Sequence, residues 1–132
     1  MPCLVKKNKL TKDIYNCSFT AIDRVTLCLD KKSYLKECGK YNYDAYLETD
    51  GICTRLKQEG HRGVCIIGIN NALSMDNVDL IGILAHEITH AVDFIMDEQD
   101  FKDMEMRAYM VHDMIMKAML FIEEAKGENY EK

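Results

Sequence analysis

A chain of 132 residues, 48% apolar and 30% charged, has the make-up of one ordinary globular domain with a single core. Its net charge of −5, with no long basic run, argues against nucleic acid or an anionic membrane as the main partner. No run approaches the roughly 18 apolar residues of a membrane helix, and residues 1–7 lack the apolar core of a signal peptide, so the expected location is cytoplasmic.

The first half reads as strands around a short helix. Residues 14–21 and 24–29 have β-type composition. In the second of these, Val25, Leu27 and Leu29 alternate with Thr26 and Cys28, the pattern of a half-buried strand. Asp30 is placed to cap a short helix through Ser33, Tyr34 and Leu35 that ends near Gly39. The tyrosines Tyr41, Tyr43 and Tyr46 lead into a second pair of strands. Residues 52–58 and 63–69 flank the turn-like segment Glu59-Gly60-His61-Arg62, which predicts a hairpin. Val64-Cys65-Ile66-Ile67 is continuously apolar and suits a strand covered on both faces. The six cysteines are widely spaced with no Cys-x-x-Cys pair, and read as reduced thiols packed as small hydrophobes, without a second, cysteine-based zinc site.

The second half reads as two long helices. After a polar loop over 70–76, Asp76 or Ser74 is the expected cap of a helix over 77–96, with Asp79 in its first turn. Ile81, Leu84, Ala85, Ile88, Val92 and Ile95 fall on one apolar stripe. An acidic connection, Asp97-Glu98-Gln99-Asp100, separates it from a helix over 101–124, whose predicted core face is Met104, Ala108, Val111, Ile115, Ala118 and Ile122. Six of the nine methionines lie in this helix, where gap-filling core is their commoner meaning and a binding groove the rarer one. The polar residues 127–132 read as a fraying end. The predicted fold is a single α+β domain over 1–132: strands and a short helix over 1–70, forming a small antiparallel or mixed sheet, with two long helices over 77–124.

Within the first long helix stands His86-Glu87-Ile88-Thr89-His90. Two imidazoles four residues apart project from one strip of a helix and can share one tetrahedral ion, for which zinc is the usual occupant. Glu87 lies about 100° round the helix from His86, badly placed as a ligand but able to take a proton from metal-bound water. A catalytic zinc takes three protein ligands and keeps one position for water. A glycine at 93 and a His or Asp at 96 would mark a metzincin, but those places hold Asp93 and Met96. The nearby acids are Asp93, Asp97, Glu98, Asp100, Asp103 and Glu105. Acids farther along the same straight helix point away from the ion, so a ligand from the next helix, Glu105, closes a tetrahedron better. Asp93 suits an acceptor that orients a ligating histidine. Tyr109 and His112, four and seven residues after Glu105, are candidate donors to a negative transition state.

His86-Glu87-Ile88-Thr89-His90 followed by Glu105-Met106-Arg107-Ala108-Tyr109 resembles the zincin metallopeptidases of the gluzincin type, and most of all small phage- and prophage-type metallopeptidases. It is also similar to the small peptidases that cleave repressors. The resemblance covers about residues 64–115 and implies a minimal zincin-like fold, Zn2+ held by His86, His90 and Glu105, and hydrolysis of a peptide or protein substrate with Glu87 as general base. An extended peptide adding to the edge of the strand over 63–69 is the expected mode of docking. Two other classes stay open: a non-catalytic zinc-binding domain, and a protein-interaction module on the same scaffold with the methionine-rich helix as its surface. Glu87 counts against the first, because a purely structural site has no need for that acid, and the intact set of His86, Glu87 and His90 argues against the second.

Overall fold

The computed structural model describes residues 10–57, 62–100 and 102–130. Strands β1 (Thr11–Asn16) and β2 (Ile22–Cys28) are followed by helix α1 (Lys31–Gly39), strands β3 (Gly51–Lys57) and β4 (Gly63–Ile69), and helices α2 (Asn77–Glu98) and α3 (Met104–Tyr130). The fold is α+β, built on a mixed sheet of order β1-β2-β4-β3. β1 pairs antiparallel with β2, β2 parallel with β4, and β4 antiparallel with β3. The expected hairpin is present as β3 and β4. Three residues of its turn (59–61), together with Cys3 and Phe101, lie outside the described residues.

α2 and α3 cover one face of the sheet. There Ile14, Val25, Leu27, Cys65, Ile67 and Ile69 pack against Leu84, Ile88, Ala91, Val92 and Ile95 of α2 and Met114, Ala118, Phe121 and Ile122 of α3. α1 and the following loop cover the other face, burying Cys28, Tyr34, Cys38, Leu47, Val64 and Ile66. Tyr34 lies flat on Gly68, where a Cβ would come within 2.7 Å of the ring. The Tyr34 hydroxyl reaches Thr54 Oγ1 at 2.7 Å. Asp30 caps α1 as expected, its Oδ1 accepting from the Ser33 amide at 2.8 Å.

Several expectations are corrected here. β1 ends at Asn16 because residues beyond it turn: the Thr20 hydroxyl hydrogen-bonds the Ile22 carbonyl at 2.6 Å, which competes with strand pairing. β2 is buried on both faces, not one, since it lies inside the sheet between two helical layers. Thr26 is tolerated there because its hydroxyl donates to Asp13 Oδ1 at 2.7 Å. Asp76 is the N-cap residue of α2, but its side chain makes no capping bond. Ile81, expected on the buried stripe, is 47% exposed, and Leu80 takes its place.

The largest correction concerns α3. Its buried residues are Met114, Ala118, Phe121, Ile122 and Ala125, a stripe rotated by about 60° from the predicted one. Met104 is 83% exposed and Ala108 is exposed as well. α3 starts at Met104, where Asp103 Oδ1 accepts from the Glu105 amide at 2.9 Å. Asp100, at φ 55°, reverses the chain between the two helices. They run antiparallel, since Asp93 pairs with Arg107 at one end and Lys126 Nζ reaches Asn77 Oδ1 at the other.

Candidate metal centre

α2 holds the candidate site because its two sides are chemically different. Leu80, Leu84, Ile88, Ala91, Val92 and Ile95 are buried and fix the helix against the sheet. His86 and His90, one turn apart, stand on the exposed strip. Their rings meet edge to face, with centroids 4.7 Å apart and planes at 86°. His86 Nε2 and His90 Nε2 are 3.2 Å apart. Two metal–nitrogen bonds of about 2.0–2.1 Å at a tetrahedral angle place their nitrogens about 3.3–3.4 Å apart. The two Nε2 atoms therefore already stand where a shared ion needs them. Without an ion, the same separation fits one N–H···N hydrogen bond between neutral rings.

Glu87 sits between the histidine strip and the core, 7% exposed. His86, Glu87 and His90 offer ligand atoms that all lie within 4.8 Å of one another. Burial raises the Glu87 carboxyl above its ordinary value, while His86 and His90 pull it back. Gly51, the first residue of the edge strand β3, makes room for it. A Cβ there would come within 2.6 Å of Ile83 Cγ2 and 3.4 Å of Glu87 Oε2. Beside it lies Cys53, whose thiol is pushed far up by its hydrogen bond with Cys65 and by burial. Cys53 is therefore a neutral thiol in the metal-free protein at neutral pH, and it stands outside the group of ligand atoms formed by His86, Glu87 and His90. Farther along β3, Arg55 lies over the Phe94 ring at 5.0 Å and pairs with Glu98 at 2.8 Å, which holds the end of α2 against the strand.

His86, Glu87 and His90 come together as the spacing predicts. The other predicted residues do not join them. Glu105 is exposed and lines a groove between β1 and α3 with Tyr15, Tyr109 and Asp113. Among the described residues, no further acid enters the histidine group. Asp93 is not turned to a histidine ring: its Oδ1 accepts from Arg107 Nε at 2.9 Å and pairs with Nη2 at 2.8 Å. Tyr109, 71% exposed, faces the Glu105 groove, and His112 is exposed on α3 outside the group.

Two features were missed from the sequence. The first is Gly51, legible only as a glycine opening a strand. The second is the identity of the edge. β4 is paired on both sides, by β2 and β3, so the strand over 63–69 has no edge for a peptide. β3 is the edge strand, and it begins against Glu87. Beside its start, a cleft of about 460 Å³ is lined by Asp50, Met75, Val78, Asp79, Gly82 and Ile83, one turn ahead of His86. Compared with protein-family models, characterised proteins and solved structures, the chain gives no match.

Proposed function

We propose that this chain is a small zinc-dependent peptidase of the zincin type, without the glutamate ligand from the next helix that the gluzincin resemblance implied, acting in the cytoplasm on peptide or protein substrates. The observation that carries the reading is the 3.2 Å convergence of His86 Nε2 and His90 Nε2, with the buried Glu87 carboxylate in the same group. Two neutral imidazoles and an adjacent carboxylate suit zinc chemically. Bound zinc supplies a Lewis acid and lowers the pKa of its water towards about 7. His86 and His90 hold the ion. Glu87, its carboxyl raised by burial, takes the proton of the attacking water and hands it to the leaving amine. The edge of β3, unpaired among the described residues, offers backbone donors and acceptors to an extended peptide, and its first residue adjoins Glu87.

One observation favours a second reading, a non-catalytic zinc-binding module: no third acid joins the histidine group among the described residues. Metal analysis and a peptidase assay separate the two. Under the first reading, His90→Ala loses zinc, whereas Glu87→Gln keeps zinc and loses cleavage. A biological function that survives Glu87→Gln would favour the module. Failure to take up zinc after its addition to metal-free protein would overturn both.

A further inference from the structure

α3 is apolar on two opposite sides, and among the described residues only one of them is covered. Its buried side is Met114, Ala118, Phe121, Ile122 and Ala125. About half a turn round, Tyr109, Met116 and Leu120 are 71%, 54% and 60% exposed. Their spacing of seven and four residues is that of a helix-packing stripe about 16 Å long. Next to Tyr109 the stripe opens into the groove between β1 and α3, of about 430 Å³, with Tyr15, Met106 and Met110 as apolar lining. Asp103, Glu105 and Asp113 line it too, and among the described residues no lysine or arginine does. Lys117 pairs with Asp113 at 2.9 Å and Asp103 caps the helix, which leaves Glu105 as the carboxylate of the three with neither an ion pair nor a capping bond among the described residues.

We infer that this face of α3 docks a basic amphipathic helix of a protein partner, its apolar side on Tyr109, Met116 and Leu120 and its cations at the acidic groove. Methionine and tyrosine form an adaptable apolar surface, the kind that receives helices through anchors one and two turns apart. The charge selects the occupant. A second copy of this chain, with net charge −5, would bring the same carboxylates against themselves, and an anionic lipid surface would be repelled by them. The surface lies away from His86 and His90, so it does not depend on the peptidase reading.

The test uses the full chain carrying Glu87→Gln, which prevents cleavage of the probe, and two dye-labelled peptides of about 14 residues, long enough to span the stripe. One presents leucines on one helical side and lysines on the other; its twin has glutamates for the lysines. Fluorescence anisotropy is expected to show saturable binding of the lysine peptide, at least about tenfold tighter than the twin and weakened by salt. Glu105→Lys with Asp113→Lys, and separately Tyr109→Ser with Leu120→Ser, should each weaken it by about tenfold or more. All four positions are exposed, and unchanged circular dichroism verifies that the variants stay folded. Equal binding of the two peptides, no binding, or binding indifferent to both double variants would overturn the inference. So would a dimer in sedimentation that Leu120→Ser dissociates, or capture by anionic vesicles in place of the peptide.

Discussion

α2 and α3 lie side by side and have similar amounts of apolar sequence, yet they use their outer sides in opposite ways. From Leu84 onward α2 buries most of its apolar residues, while Val78 and Ile81 near its start are exposed, and it presents His86, His90, Asp93 and Asp97 to solvent. α3 buries one apolar stripe and exposes another. On α2 the polar strip brings two imidazole nitrogens to 3.2 Å beside one buried acid, a convergence that the proposed metal site would use. On α3 the exposed stripe carries no convergent chemistry, only area, shape and negative charge, the economy of a contact surface. The lesson is that a helix's outer side is read by what converges on it, not by its mean polarity.

The largest effects expected from breaking this contrast lie on α2. Under the peptidase reading, Glu87→Gln should lower the rate of peptide cleavage by about 10²–10⁴-fold with zinc content unchanged, while Leu120→Ser on α3 leaves the rate as it was. Cleavage kinetics with metal analysis checks it; equal rates in Glu87→Gln and the parent would refute the role of Glu87. The next effect is on stability. Ile88→Ala, on the fully buried side of α2, should cost about 2–5 kcal/mol in denaturant unfolding. Met116→Ala, exposed on α3, should stay within about 0.5 kcal/mol. A large loss at Met116 would mean that the outer stripe is already covered within the folded chain.

The same contrast explains what was legible in the sequence. From Leu84 onward the apolar and polar residues of α2 separate well enough that Leu84, Ile88, Val92 and Ile95 could be assigned to the core and the histidines to one strip, whereas Ile81 in its first turns was misassigned. α3 is apolar on nearly every strip, so periodicity admits several core faces. Packing decided among them by inserting Met114 and Phe121, and the expected stripe lost Met104 and Ala108 to solvent. With that rotation Glu105 went into the β1–α3 groove. The hairpin and the buried character of β4 were legible from composition. Which strand forms the edge was not, because the parallel pairing of β2 with β4 is a long-range choice that no local pattern encodes.

A smaller effect tests whether the acid on α2 is held under strain for function. The folded-state pKa of Glu87 is raised above its ordinary 4.5. Below that value both folded and unfolded chains hold the proton, and the residue costs nothing. As pH rises through the window from 4.5 to the raised value, the unfolded chain ionises more readily and the metal-free fold loses stability. Glutamine cannot ionise. Metal-free Glu87→Gln should therefore melt at a higher temperature than the parent at neutral pH, with the gap closing below pH 4.5. Thermal melts across that range decide it, and a gap that widens towards acid would contradict the burial argument.

The smallest effect concerns Asp93, which borders both helices. A carboxylate that orients a ligating histidine typically costs 10–100-fold in metal affinity when removed, by about the measure of other such partners. Here Asp93 instead receives Arg107 from α3, with the two side chains 50% and 43% exposed. An exposed pair of this kind contributes about 0.2–1 kcal/mol, lost in salt. Asp93→Asn should therefore change zinc affinity by no more than about twofold, and its small cost in stability should match that of Arg107→Gln and not add to it in the double variant. A tenfold loss of zinc affinity would return Asp93 to the metal site.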